Sequence, residues 1–152
     1  MTVTVAPAIL SGCVDAIPSK SFAHRLLICA ALSERETQIT CHGDSSDMEA
    51  TRRCLNALGS NITVEHGTLS VTPLSEPKPR VVLDCGESGS TYRFLVPVVA
   101  ALGRDTEFIL HGRLSARPMS PLWDALEQHG VSVAGQGSER VCISGQLRGG
   151  AF

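Results

Sequence analysis

Pro18-Ser19-Lys20-Ser21-Phe22-Ala23-His24-Arg25-Leu26-Leu27 sets two hydroxyls and two cations at the start of a helix whose other side is apolar. Ser21 can cap that helix by accepting from a free N–H two or three residues on, and Ser21 and Arg25, four apart, share a face. Phe22, Leu26 and Ala30 form a second stripe with Ala23, Leu27 and Ala31 beside it, so the helix has a side to bury. Free N–H groups and the positive end of the helix dipole favour a bound phosphate or carboxylate, and Lys20 and Arg25 add full charges. The same spacing also describes an ordinary solvated cap.

Outward from this helix the chain reads as α/β. Residues 1–17 are extended, with Thr2-Val3-Thr4-Val5 alternating and Gly12 to Ile17 leading into the helix. Thr37 to Cys41 is a short strand closed by His42-Gly43. Ser46-Asp47-Met48-Glu49 has the form of a capping box opening a helix that stops at Gly59. Asn61 to Val64 and Leu69 to Val71 flank His66-Gly67 as a hairpin, and a proline-rich link, Pro73 to Pro79, follows.

The same order then returns. Arg80 to Asp84 is a strand, Cys85 to Ser90 a glycine-rich turn, and Tyr92, Leu95, Val96, Val99 and Leu102 line a helix ending at Gly103. Thr106 to Leu110 again ends in His-Gly. Ser120-Pro121 opens a helix through Trp123 that stops at Gly130, and Val131 to Ala134 with Arg140 to Ile143 form a second hairpin. Ala30-Ala31-Leu32 recurs as Ala100-Ala101-Leu102, and His42-Gly43 as His111-Gly112. Two copies of a βαβαββ unit, about 12–73 and 80–146, account for the whole of 1–152 as part of one domain. Equivalent first helices in such a repeat can turn their N-termini to one cleft, where Gly86-Glu87-Ser88-Gly89-Ser90-Thr91 would offer serial N–H groups as an anion nest.

Composition limits the alternatives. The 152 residues carry 13 Lys+Arg against 15 Asp+Glu, a net charge of -2, so no general basic field holds nucleic acid, and no aromatic series suggests base stacking. Apolar residues at 43% and charged ones at 18% exclude a disordered tail. The six cysteines form no Cys-x-x-Cys, which argues against a metal site; read as small core residues, they fit a reducing cytosol and a cytoplasmic protein. No run reaches the length of a membrane span.

Secondary candidates are Arg113 and Arg117, which bracket a polar loop where a guanidinium can grip phosphate or carboxylate bidentately, or simply lie exposed. The histidines read as structural, Asp44 and Asp47 as capping groups, and Tyr92 and Trp123 as core.

Ser19-Lys20-Ser21 with Arg25, then Cys85 through Phe94, then Arg117-Pro118-Met119, in that order, resemble the 5-enolpyruvylshikimate-3-phosphate synthases of the shikimate pathway. The related UDP-N-acetylglucosamine enolpyruvyl transferases share the fold without a similar Ser-Lys-Ser, and a non-catalytic anion-binding module is the other alternative. The resemblance implies an inside-out α/β barrel of two domains, each of three βαβαββ units, with the active site between them. Two units are present here. The third unit and the second domain, a partner of the same enzyme, would be missing, so this chain alone would at most bind substrate, without turning it over, and could self-associate. The implied reaction transfers the enolpyruvyl group of phosphoenolpyruvate to the 5-hydroxyl of shikimate 3-phosphate and releases phosphate, with no cofactor or metal. Lys20, Ser21 and Arg25 would contact shikimate 3-phosphate. Lys20, the implied catalytic residue, would also reach phosphoenolpyruvate, which Gly89 and Arg117 would bind. Gly89 implies room for glyphosate in a complete site. Glu87 stands where the family often has asparagine, and Phe94 where many members have proline.

Overall fold

Serine hydroxyls and glycines set the element boundaries. The computed structural model describes residues 2–9, 11–14, 16–75 and 80–150. Ser19, extended at φ -68° and ψ 104°, accepts from Phe22 N and opens α1 (Lys20–Ala31). The expected cap, Ser21, is already inside the helix, because a hydroxyl must lie three residues before the N–H it satisfies. β1 (Thr37–Thr40) follows, and then α2 (Ser46–Leu58), capped by Ser45 through Met48 N rather than by Ser46. That shift removes the capping box, since the third helical residue is now Met48. Gly59 ends α2 at φ 112°, a conformation costly for any residue with a Cβ. His66 and Gly67, at φ 47° and 77°, make the tight turn between β2 (Asn61–Glu65) and β3 (Thr68–Thr72).

The second half repeats this plan: β4 (Arg80–Gly86), α3 (Gly89–Ala101), β5 (Asp105–Leu110), α4 (Leu122–Gln128), β6 (Val131–Ala134) and β7 (Arg140–Gly145). Its sheet runs β4-β5-β7-β6, with β4 parallel to β5 and the remaining pairs antiparallel. The first sheet, β1-β3-β2, reproduces the β5-β7-β6 part. Ser88 caps α3 through Thr91 N, as Ser19 caps α1. The lead before α1 forms no strand among its described residues, and Val3, Val5, Ile9, Val14 and Ile17 are exposed. Residues 76–79 of the expected link lie outside the described residues.

One core joins the two halves. Leu27, Ala31, Cys54, Leu55, Leu58, Val71, Leu83, Leu95, Val99 and Phe108 are wholly buried within it, and each large apolar side chain there contributes about 1.5–3 kcal/mol. Tyr92 stacks edge-on against Phe108 and Trp123, with centroids 5.3 and 6.0 Å away, as core residues do. The cysteines divide differently from the expectation: Cys54 and Cys85 are buried, while Cys13, Cys29 and Cys142 are exposed. A hydrogen bond with Cys54, and then burial, push the Cys85 thiol up. Arg104, missed in the sequence, is buried and donates to Leu58 O at 2.8 Å, placing a cation at the negative end of α2. Among the described residues no helix is long and apolar enough to cross a membrane.

The buried face of α1 holds Ala23, Leu27, Ala30 and Ala31 as expected, but it turns away from Phe22, which is exposed, and toward His24 and Ile28. His24 therefore enters the interior, where α1, α2 and α3 meet through their first turns.

Candidate anion-binding site

Lys20 is the first residue of α1, and its Nζ donates to Asp47 Oδ2 at 3.2 Å. With the side chains 53% and 35% exposed, the pair adds little stability, and Lys20 can exchange this carboxylate for another anion. Ser21 follows with its hydroxyl exposed. Arg25, one turn on, donates from Nη1 to Ser21 O at 2.7 Å and lies over the Phe94 ring, 4.6 Å from its centroid. The ring of α3 thus holds a guanidinium of α1, a cation–π contact worth about 0.5–1 kcal/mol at an exposed position.

Gly89 is the first residue of α3. A Cβ there would lie 2.8 Å from Arg117 Nη1, 3.3 Å from Arg93 Nη1 and 3.7 Å from Leu114 Cδ1. Two guanidinium groups therefore close on the bare helix end. Arg117 comes from the loop between β5 and α4, and Arg93, one turn after Gly89, donates to Pro118 O at 3.1 Å and fastens that loop to α3. Arg93 lies inside the Cys85 to Phe94 motif, where the sequence reading gives it no role. Its spacing from Gly89, four residues along a helix, was the available signal. Glu87 packs against Gly112, where any Cβ would collide with its carboxylate.

The two ends meet through Asp47, in the first turn of α2. Its carboxylate holds Lys20, and its carbonyl lies 3.3 Å from Thr91 Oγ1. Read from sequence as a cap, Asp47 is instead the link between the two helices. Asp44 does stay near its expected place. It accepts from Ser45 N at 2.7 Å and pairs bidentately with Arg52, whose guanidinium holds the Asp44 carboxyl below its ordinary value.

Among the described residues no carboxylate lies within ion-pairing distance of Arg25, Arg93, Arg113 or Arg117. An open hollow of about 300 Å³ lies beside Lys20, lined also by Pro18, His42, Gly43 and Met48. Another, of about 290 Å³, is lined by Arg113, Ala116, Arg117 and Pro118. Unpaired guanidinium groups at two helix N-termini suit anions carrying phosphate and carboxylate. No cluster of His, Cys, Asp or Glu among the described residues could hold a metal ion. His111, expected only to close a strand, also lies 3.1 Å from Asp84 Oδ1, away from these cations.

Comparison with known proteins gives a consistent result. The family model for EPSP synthase (3-phosphoshikimate 1-carboxyvinyltransferase) matches residues 5–152. The 3-phosphoshikimate 1-carboxyvinyltransferase of Clostridium perfringens is 37% identical over 153 residues, covering 99% of this chain and 36% of that protein. Its counterpart in Clostridium kluyveri is 37% identical over 154 residues, with the same shares. A solved EPSP synthase from Acinetobacter baumannii superposes with a TM-score of 0.75 at 26% identity, covering 88% of this chain and 32% of that one. The chain thus spans about a third of the length of the relatives it matches.

Proposed function

This chain belongs to the EPSP synthase family, and from that premise we propose that its residues form one wall of a site that transfers the enolpyruvyl group of phosphoenolpyruvate to the 5-hydroxyl of shikimate 3-phosphate. Lys20, Ser21 and Arg25 bind shikimate 3-phosphate. Gly89, through its backbone, and Arg117 bind phosphoenolpyruvate, with Lys20 reaching both. The observation that carries this reading is the pairing of two helix N-termini, each with cations free of carboxylate partners except for the exchangeable Lys20–Asp47 contact.

The chemistry adds the 5-hydroxyl oxygen to C2 of phosphoenolpyruvate while C3 gains a proton. The C2–O bond to phosphate then breaks as C3 loses a proton. Negative charge moves onto the departing phosphate, and fixed cations lower the barrier by being in place before it arrives. Arg117, with its planar fork, suits a carboxylate; Lys20, a compact charge between the two ligands, suits the phosphate oxygens. Turnover also needs a proton donor and acceptor, roles that this reading gives to none of Lys20, Ser21, Arg25, Gly89 and Arg117. Those groups belong to the part of the relatives' length that this chain does not span.

The test mixes this chain with the remaining part of the Clostridium perfringens relative and follows phosphate release from phosphoenolpyruvate. Release that depends on shikimate 3-phosphate and disappears in Lys20→Ala supports the reading. Release that Lys20→Ala leaves unchanged contradicts it.

A further inference from the structure

Four buried polar side chains connect the helices behind the cations. Ser88 Oγ lies 2.7 Å from Thr91 Oγ1, Thr91 Oγ1 lies 2.7 Å from Thr51 Oγ1, and Thr51 Oγ1 lies 2.6 Å from His24 Nδ1. Their exposures are 2%, 0%, 0% and 1%. Thr51 and Thr91 also approach Asp47 O, at 3.4 and 3.3 Å. Buried hydroxyls cost stability unless bonded, and here Thr51 and Thr91 have partners on both sides while Ser88 bonds to both Oγ1 and N of Thr91. The three hydroxyl protons can run in one direction, from Ser88 to Thr91 to Thr51 to His24 Nδ1, ending on a neutral imidazole. Burial, followed by opposing contributions from Asp47 and from Lys20 and Arg25, holds His24 below its ordinary value and so in that form. With Nδ1 accepting, the ring's single proton is on Nε2, which has no protein partner, so a second proton would have to take Nδ1 from Thr51 and bury a charge.

The elements that the chain joins are the ones that carry the site. His24 is on α1, between Lys20 and Arg25. Thr51 is one turn beyond Asp47 on α2. Ser88 caps α3, immediately before Gly89, and Thr91 lies in its first turn. We propose that Thr91 and Thr51 are positioning residues which, with His24 and Ser88, lock the first turns of α1, α2 and α3 together and hold the cations of α1 and the bare end of α3 at one separation. The ligand part of this inference rests on the site reading above.

The test uses Thr91→Val and Thr91→Ser in the full chain. Thr91 touches no ligand in the site as read, and shikimate 3-phosphate is assigned to α1, so a change at Thr91 that leaves the Phe94–Arg25 contact in place reaches that ligand through the buried hydroxyls and the Asp47 carbonyl they approach. Thr91→Val is expected to weaken shikimate 3-phosphate about tenfold, the scale at which residues along such networks act, and Thr91→Ser, which keeps the hydroxyl, to restore it within about twofold. An unchanged affinity in folded Thr91→Val, or no rescue by Thr91→Ser, overturns the proposal. If wild type does not bind shikimate 3-phosphate, the site reading fails, and amide NMR judges the network alone. Resonances of Lys20 and Ser21 that move in Thr91→Val and return in Thr91→Ser support it, and unmoved ones overturn it. Should Thr91→Val not fold, the nitrogen shifts of the wild-type imidazole decide. A single neutral tautomer with a hydrogen-bonded Nδ1 supports the network, and an averaged one refutes it.

Discussion

Replacing Gly89 by alanine separates folding from ligand binding. The added Cβ would sit 2.8 Å from Arg117 Nη1, against about 3.5 Å for an ordinary nonbonded contact. What it meets is the tip of a long side chain, with Arg93 Nη1 and Leu114 Cδ1 farther off at 3.3 and 3.7 Å. The guanidinium therefore yields by about 0.7 Å while the helix stays where it is. Alanine in place of a helical glycine adds up to about 1 kcal/mol, which in a chain of this size raises Tm by roughly 2–4 °C. A charge-assisted hydrogen bond is worth about 1.5–3 kcal/mol, so a misplaced Arg117 fork should cost phosphoenolpyruvate about tenfold in affinity. Shikimate 3-phosphate, on α1, should be unaffected. Calorimetry with each ligand, a thermal melt and the Arg117 Nε resonance read all three effects. A fall in Tm of several degrees, or an Arg117 resonance that does not move, would refute the reasoning.

Two further predictions follow from the electrostatics. Because burial depresses the His24 pKa below 6.5, the unfolded chain binds more protons than the folded one as pH falls below that value. Stability should therefore be full above pH 6.5 and decline beneath it, at no more than about 1.4 kcal/mol per pH unit from this one group; urea titrations at several pH values should show a shallower slope in His24→Gln, and an identical slope would count against the assignment. Asp47→Asn removes the carboxylate that competes for Lys20, so shikimate 3-phosphate should bind several-fold tighter by calorimetry while stability changes by less than about 1 kcal/mol; weaker binding would show that Asp47 orients Lys20 instead of competing with ligand.

Much of this architecture was legible because its signals are local. A glycine at a helix end, a His-Gly turn between alternating residues and a serine ahead of an apolar stripe each act within a few residues, and their recurrence at a constant offset exposed the repeat. The caps fell at Ser19 and Ser45 rather than Ser21 and Ser46 because neighbouring serines compete for the same N–H groups, and only backbone conformation chooses between them. On α1 Phe22 and His24 exchanged their expected places, because Phe22 outweighs His24 in hydrophobicity while the space beside α2 and α3 admits the imidazole instead. Thr51 left a trace: it occupies an apolar row with Met48, Leu55 and Leu58, where a hydroxyl demands a partner. The identity of that partner, Thr91, lies 40 residues away and depends on how the helices pack. The link made by Asp47 was hidden in the same way, because an aspartate in a first helical turn already has a sufficient local reason to be there.

The most direct test of the central claim is a calorimetric titration of the folded chain with shikimate 3-phosphate, in parallel with Lys20→Ala and Arg25→Ala, at low and moderate salt. The account predicts one site per chain, weakened by salt and lost in both variants. A folded wild-type chain that does not bind, or binding that survives both substitutions, would contradict it.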